Sequence, residues 1–138
     1  MAIHIRTLTD GAAGAWDRFV QATPEATFFH LAGWRRVLEQ AFGHTTHYAY
    51  AEQDGAVVGV LPMARMRTRL FGDALISTPF CVYGGPVAAT WEAADALSEH
   101  AQDVMRALDI PSLEFRRLHA PDPGWREREA LHVTFRRP

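Results

Sequence analysis

The segment formed by residues 75–87 limits the possible folds of this chain more than any other. It begins as an apolar run typical of a buried strand and continues into Tyr83-Gly84-Gly85-Pro86, shortly before a helix predicted to start near Thr90. Two adjacent glycines followed by a proline let a ligand or another backbone approach without side-chain interference. A strand that leads through such a loop into a helix favours an α/β fold, in which loops of this kind often bind small molecules. Taken alone, these residues favour a geometric role for the glycines.

The other patterns predict a mixed-direction sheet, with elements in the order β-α-α-β-β-β-α-β and a final strand. An Asp54-Gly55 pair between two β-rich runs predicts a hairpin, because its turn requires positive φ values. Pro62 lies inside the second run, so that strand is expected at an edge, bulged, or splayed from its neighbour. The hairpin imposes antiparallel pairing, and the last helix allows a crossover. Strands are predicted near residues 3–8, 48–53, 56–66, 75–82, 112–118 and 131–135, and helices near 10–22, 31–42 and 90–108.

The composition narrows the classes of function. The chain has 138 residues, about one domain, and 48% of them are apolar, so a core can form without disulfides. A net charge of -2 gives no general attraction to nucleic acid or membranes, and the absence of lysine excludes lysine chemistry. No signal peptide or membrane span is predicted. The single cysteine, Cys81, lies between Phe80 and Val82 and is interpreted as a buried, inert thiol rather than a nucleophile.

Arginines near the predicted hairpin have both a functional and a structural interpretation. Arg65, Arg67 and Arg69 could hold a phosphate or a carboxylate, but a solvated edge strand is favoured. Residues 69–74 match the R-x-x-G-x-A pattern that cradles the pyrophosphate of acetyl-CoA in GNAT acetyltransferases. That mechanism needs a helix whose N-terminal amides face the phosphates, whereas a strand is predicted to follow here. The match is therefore interpreted as chance.

Two further groups of polar residues are interpreted as structural. His44 and His47 could be two metal ligands, but no third ligand lies near them in the sequence, so no metal site is predicted. The acids of the last predicted helix recur at helical spacing opposite its apolar stripe, which is typical of a solvated face. The residues of that stripe are expected to be buried: Ala94, Leu97, Ala101, Val104, Met105 and Leu108.

Several blocks resemble the FemAB family in their order and spacing over residues 16–118: Phe28-Phe29-His30-Leu31-Ala32-Gly33-Trp34, the Asp54-Gly55 hairpin, Val60-Leu61-Pro62-Met63 and Tyr83-Gly84-Gly85-Pro86-Val87. The chain looks most like the FemAB-related proteins associated with PEP-CTERM/exosortase exopolysaccharide systems. The resemblance implies the first of two tandem GNAT-like domains, a mixed sheet flanked by helices, over residues 1–118. Residues 119–138 would begin a connection to a missing second domain, which is expected to hold much of the acyl-donor site. The chain is therefore expected to be a fragment of a longer protein.

The resemblance also implies a site, because the first domain of the family helps to bind the acceptor substrate. The expected substrate-binding residues are those of the glycine-proline loop and a basic residue of the second helix: Tyr83, Gly84, Gly85, Pro86 and either Arg35 or Arg36. Cell-wall members often carry an aspartate shortly after the Gly-Pro pair, whereas Ala88-Ala89-Thr90 follow here. This departure favours a different amine-bearing or sugar acceptor. No catalytic residue and no metal site are assigned.

Three functions follow as hypotheses. The first is the N-terminal half of a FemAB-like N-acyltransferase, which transfers an acyl or aminoacyl group to an amine of a cell-envelope or exopolysaccharide precursor. Its acyl donor would be aminoacyl-tRNA or acyl-CoA, and its acceptor a small, lipid-linked or nucleotide-sugar molecule. No permanently bound cofactor is expected. The protein would be cytoplasmic or peripheral to the inner membrane face. The second is a non-catalytic module that binds a sugar or nucleotide-sugar, with Trp125 as the tryptophan expected to be exposed. The third is a stand-alone GNAT enzyme that uses acetyl-CoA.

Overall fold

The computed structural model describes residues 2–69, 72–78 and 84–116, and the strands in these ranges form two four-stranded sheets. The first sheet is antiparallel, in the order β1 (His4–Thr7), β3 (Ala49–Gln53), β4 (Ala56–Leu61) and β7 (Val87–Ala88). The second sheet has the order β2 (Thr45–Thr46), β5 (Ala64–Thr68), β6 (Gly72–Ser77) and β8 (Leu113–Phe115), and its β6–β8 pair is parallel. The mixed α/β architecture predicted from the sequence is confirmed.

Three helices flank the sheets in the described ranges. They are α1 (Ala13–Ala22), α2 (Trp34–Arg36), which continues as a π-helical turn at Val37–Ala41, and α3 (Trp91–Ala107). Short 3-10 turns at Asp10–Ala12 and Phe28–His30 precede α1 and α2. The second helix therefore starts later than predicted, because the chain first makes the separate turn at Phe28–His30. Gly43, with a φ of 68°, follows the π-helical turn, where its missing Cβ permits the left-handed conformation.

The two central strands of the first sheet lie between the helices. Alternate residues of β3 point to opposite faces, so Tyr50 packs in a cluster with Trp16 of α1, whereas Ala51 packs in a cluster with Leu97 of α3. Gly59 of β4 allows α3 to come close, because a Cβ there would lie 2.9 Å from Cδ1 of Leu97. The apolar periodicity of the strands and helices thus produces one layer of sheet with a helical layer on each face.

The chain passes from the first sheet to the second at Pro62. The run at residues 56–66, predicted as one strand, is divided into β4 and β5, which belong to different sheets. Of the three arrangements expected for Pro62, splaying is the one observed, because proline has no N–H for a ladder hydrogen bond. Asp54 and Gly55 have φ values of 54° and 78°, and the predicted β3–β4 hairpin is confirmed.

Two predictions about α3 are wrong in part. Leu97 and Ala101 are buried as predicted, but Leu108 is 39% exposed because the helix ends one residue before it. Trp91 is 80% exposed at the first position of the helix, ahead of the buried stripe. The prediction that only Trp125 would be exposed therefore overlooked Trp91.

Several predictions fall on residues outside the described ranges. They concern Tyr83 in the loop, the thiol of Cys81, the exposure of Trp125, the strand at residues 131–135 and the connection at residues 119–138. Among the described residues, no helix has both the length and the apolar character needed to cross a membrane.

Candidate functional site

The glycine-proline loop begins where the parallel pair of strands in the second sheet ends. The backbone N–H of Gly84 donates to the carbonyl of Arg116, one residue after β8. A Cβ at Gly84 would overlap the backbone of Ser77 and Thr78 at the end of β6. Position 84 therefore requires glycine for the close approach of two backbones.

The next residue, Gly85, is held by two buried side chains. Its backbone N–H donates to Oγ of Ser77 at 2.9 Å, while that hydroxyl donates its own proton to the carbonyl of Pro62. The carbonyl of Gly85 lies 3.2 Å from Nε2 of His30. Gly85 has a φ of 83°, a conformation that L side chains rarely adopt. These hydrogen bonds connect the loop to Ser77 of β6, through Ser77 to Pro62 between the two sheets, and to the turn before α2.

His30 is the residue that connects this loop to the first helical layer. It is 2% exposed, and its Nδ1 accepts a hydrogen bond from the N–H of Thr27 at 3.0 Å. Because Nδ1 is an acceptor, the ring proton lies on Nε2, which donates to Gly85. Nε1 of Trp16 donates to the His30 carbonyl at 2.6 Å, which fixes the turn from the other side.

Burial lowers the pKa of His30 from its usual 6.5, although the hydrogen bond that the ring donates to the backbone carbonyl of Gly85 opposes the shift. The neutral ring has both nitrogens engaged, so His30 positions the loop and is not a general base. Nothing in the composition indicated this role. The spacing of Thr27 and His30, which form a capping box around the turn, was the available signal.

Several described amides of the loop that leads to α3 are already engaged within the protein. The amides of Gly84 and Gly85 are engaged as described, and Pro86 has none. Strand β7 pairs with β4, and the N–H of Ala89, the residue after β7, donates to the carbonyl of Val58 at 2.8 Å. An anion cradle needs several amides that point outwards, and the described amides of Gly84, Gly85 and Ala89 cannot serve in one.

The two arginines of α2 differ in their surroundings. Arg35 donates to the carbonyl of Leu8 at 3.1 Å and forms an ion pair with Asp10 at 2.7 Å, so it ties α2 to the start of α1. Arg36 is exposed, and with Arg35, Asp10 and Asp17 it lines a shallow cleft of about 230 Å³. The described contacts of Arg35 are thus not with the glycine-proline loop. Arg36 is the better candidate to contact a substrate.

The arginines in and after β5 bear out the structural interpretation only in part, because β5 pairs with β2 as well as β6 and is not an edge strand at Ala64 and Arg65. Arg65 binds the carboxylate of Asp73 through two hydrogen bonds of 2.9 and 2.6 Å, which hold the pKa of Asp73 below its usual value. Arg67 and Arg69 are exposed. The last three residues of the R-x-x-G-x-A match, 72–74, begin strand β6 and not a helix, so a strand follows the match as the sequence predicted.

No metal centre is found among the described residues, where no group of three or more potential ligands comes together. His47 instead lies partly buried beside Arg65 and His100. Burial, followed by the nearby charge of Arg65, lowers the pKa of His47. Both effects favour a neutral ring.

No protein-family model and no curated protein matches this chain. Solved structures do. A GNAT family acetyltransferase of Staphylococcus aureus has a TM-score of 0.61 at 9% identity, over 97% of this chain and 98% of its own. The ribosomal-protein-alanine N-acetyltransferase of Brucella melitensis has a TM-score of 0.63 at 13% identity, over 98% of this chain and 100% of its own. This chain has the GNAT acetyltransferase fold.

Two other solved structures also match this chain. FemX matches with a TM-score of 0.59 at 20% identity, over 75% of this chain but only 24% of its own length. The paiA N-acetyltransferase of Thermoplasma acidophilum, solved in complex with coenzyme A, has a TM-score of 0.50 at 12% identity, over 80% of this chain and 76% of its own. The GNAT-like fold implied by the resemblance is therefore confirmed, whereas the FemAB family and the exopolysaccharide association stay predictions.

Proposed function

We propose that this chain is the acceptor-binding part of a FemAB-like N-acyltransferase. It would bind a precursor of the cell envelope or of an exopolysaccharide, in the cytoplasm or at the periphery of the inner membrane face, and present an amine of that precursor to an activated acyl group. The donor would be acyl-CoA or an aminoacyl-tRNA. The partial match to FemX, at a higher identity than the two complete-length matches described above, supports this assignment.

One observation carries the proposal: the amides of Gly84, Gly85 and Ala89, in the described part of the loop before α3, are engaged within the protein. Gly84 donates to Arg116, Gly85 to Ser77 and Ala89 to Val58, and Pro86 has no N–H. A loop of this kind can form a fixed wall against an acceptor, but it does not supply the outward amides that hold a pyrophosphate. The donor would then bind mainly to another part of the whole protein.

The reaction needs no covalent intermediate with this chain. The lone pair of the acceptor amine attacks the carbonyl carbon of the donor, and a C–N bond forms. The tetrahedral intermediate expels the CoA thiolate or the ribose oxygen of the tRNA, and the amine loses a proton, which the leaving group takes up. Positioning of the amine and stabilisation of the oxyanion would supply most of the rate enhancement.

Within this scheme, Arg36 is assigned to an anionic group of the acceptor, such as the phosphate of a nucleotide-sugar. Gly85 and Pro86, with Tyr83 before them, would form the wall against which the acceptor lies. His30 and Ser77 would act as positioning residues, because they hold Gly85 from two sides without reaching a substrate.

The test compares acyl transfer and donor binding. Acyl transfer to an amine acceptor is measured with the whole protein, and binding of acetyl-CoA to the 138-residue chain is measured by calorimetry. We expect Arg36→Ala and Tyr83→Phe to reduce transfer at least tenfold, while Arg18→Ala, an exposed arginine on α1, leaves it unchanged. Equal transfer by all three variants would overturn the site assignment.

A stand-alone acetyl-CoA-dependent enzyme is the second candidate, favoured by the two acetyltransferases that match this chain over nearly their whole length. Stoichiometric acetyl-CoA binding by the isolated chain, together with acetylation of an amine, would establish it and remove the first proposal. Binding of a sugar or nucleotide-sugar with no transfer by the whole protein would support a non-catalytic module instead.

A further inference from the structure

A second cleft lies at the end of α1, on the far side of His30 from the glycine-proline loop. Its volume is about 380 Å³, and eight residues line it: Val20, Gln21, Thr23, Pro24, Ala26, Thr27, Phe28 and Leu31. None of them is charged, although 22% of the residues in the chain are. An ionic ligand would find no partner in this lining, so the cleft suits a neutral one.

The wall of the cleft includes an aromatic ring that is unusually open to solvent. Phe28 is 67% exposed, yet its ring packs edge-to-face on Phe29 at 5.9 Å and on Trp34 at 6.3 Å between ring centroids. Phe29 and Trp34 also pack edge-to-face, at 5.5 Å. The three rings therefore form a supported platform, and an aromatic surface held in this way is available for stacking.

The polar groups of the cleft are hydroxyls and one amide. Thr23 uses its hydroxyl proton in a bond to the carbonyl of Phe19 at 2.7 Å, and Thr27 directs its own towards Nδ1 of His30 at 3.1 Å. Both oxygens keep lone pairs that can accept hydrogen bonds. The exposed Gln21 adds an amide that can both donate and accept.

We propose that this cleft binds a neutral pyranose ring, which stacks on Phe28 and forms hydrogen bonds through its hydroxyls with Gln21, Thr23 and Thr27. A sugar ring has apolar C–H faces and a rim of hydroxyls, which correspond to the platform and to the polar groups of the lining. Thr27 also bonds His30, which holds Gly85, so a ring in the cleft lies one side chain away from the candidate acceptor loop. The inference rests on the proposed function only in making this sugar a part of the acceptor.

Saturation-transfer NMR with methyl β-D-glucopyranoside and n-octyl β-D-glucopyranoside tests the proposal on the 138-residue chain. We expect saturation of the sugar ring protons of both probes, with a dissociation constant on the order of millimolar for the methyl glycoside. The indole N–H resonance of Trp34, next to Phe28, should shift with the same affinity.

Variants separate a sugar site from an apolar one. Phe28→Ala should abolish saturation transfer to the sugar protons. Phe42 is another exposed phenylalanine, outside the cleft, and Phe42→Ala should leave the saturation transfer unchanged. Gln21→Leu should weaken binding of the methyl glycoside severalfold, whereas the same substitution would strengthen binding of an alkyl chain. Thermal unfolding of each variant confirms that it folds.

The proposal is overturned if the methyl glycoside receives no saturation, if Phe28→Ala binds it as well as the parent chain, or if only the octyl protons respond. These outcomes do not depend on acyl transfer. If the protein binds the glycoside but transfers no acyl group, the sugar site is supported and the N-acyltransferase function is rejected. If it transfers an acyl group but binds no glycoside, the N-acyltransferase function is supported and the sugar site is rejected.

Discussion

Replacement of His30 tests whether one buried ring holds the turn before α2 and the glycine-proline loop together. In His30→Ala, the buried carbonyl of Gly85 loses its donor, at about 1–3 kcal/mol, and the N–H of Thr27 loses its acceptor, at about 1 kcal/mol. The space left by the ring adds on the order of 1 kcal/mol. The free energy of unfolding should therefore fall by about 3–5 kcal/mol, a large share of the roughly 5–15 kcal/mol of a typical domain.

Two conservative variants separate the two hydrogen bonds. Asparagine can place its Oδ1 where Nδ1 lies, so His30→Asn should keep the bond from Thr27, lose the one to Gly85 and cost about 2 kcal/mol. Glutamine can reach the position of Nε2, so His30→Gln should keep the bond to Gly85 and cost about 1 kcal/mol.

Urea unfolding of the three variants gives the free energies, and hydrogen exchange of the Gly85 amide reports the loop. Protection of that amide should fall in His30→Ala and His30→Asn but not in His30→Gln. The reasoning is refuted if His30→Ala costs less than about 1 kcal/mol, or if the exchange of Gly85 is the same in His30→Asn and His30→Gln.

Three further predictions follow from the same structure. Gly84→Ala should cost about 3 kcal/mol or more in urea unfolding, because its Cβ would overlap backbone rather than a movable side chain, while Gly33→Ala, with no atom within 4 Å of the new Cβ, should change stability by less than about 0.5 kcal/mol. Arg36→Ala should weaken acceptor binding about tenfold in calorimetry with little change in stability, whereas Arg35→Ala should lower stability by up to about 1 kcal/mol, since its partner Asp10 is largely exposed. Three histidines have pKa values below the usual 6.5 in the folded chain, mainly through burial: His30, His47 and His100. The unfolded chain binds protons first as the pH falls, so unfolding measured from pH 7.5 to 5 should show full stability above about pH 6.5 and a loss of at most about 1.4 kcal/mol per pH unit for each histidine, less for the two half-buried rings. Equal stability of Gly84→Ala and Gly33→Ala would contradict the first prediction. Loss of acceptor binding in Arg35→Ala but not in Arg36→Ala would contradict the second, and unchanged stability at pH 5 would contradict the third.

Two exposed aromatic residues lie near the two candidate sites, the proposed sugar cleft and the glycine-proline loop. Phe28 stands at the sugar cleft on the α1–α2 side, and Trp91 stands at the start of α3, directly after the glycine-proline loop and the short strand β7. Neither ring is used to fill the core. If the acceptor carries several sugar units, Trp91 is the next side chain to substitute once the Phe28 experiment has been done.

The sequence by itself determined most of the longer elements of this fold and the pairing of β3 with β4. Alternation of apolar and polar residues over residues 3–8, helical spacing in α3 and the Asp54-Gly55 turn are local patterns, and each favours one conformation of its own segment. Pro62 indicated a disturbed strand, because its missing donor acts wherever the strand lies, but the division of residues 56–66 between two sheets was decided by the fold. These patterns, with the order of the elements, were enough to predict the mixed α/β architecture.

Tertiary structure alone decided how the candidate site is arranged. His30 and Gly85 are 55 residues apart, and their hydrogen bond depends on how the helical layer packs against the sheet. The same packing directs Arg35 to Leu8 and Asp10 and leaves Arg36 at the surface, a distinction that two adjacent arginines do not show in the sequence. A side chain's partner depends on which distant groups are buried beside it, and burial is a property of the whole fold.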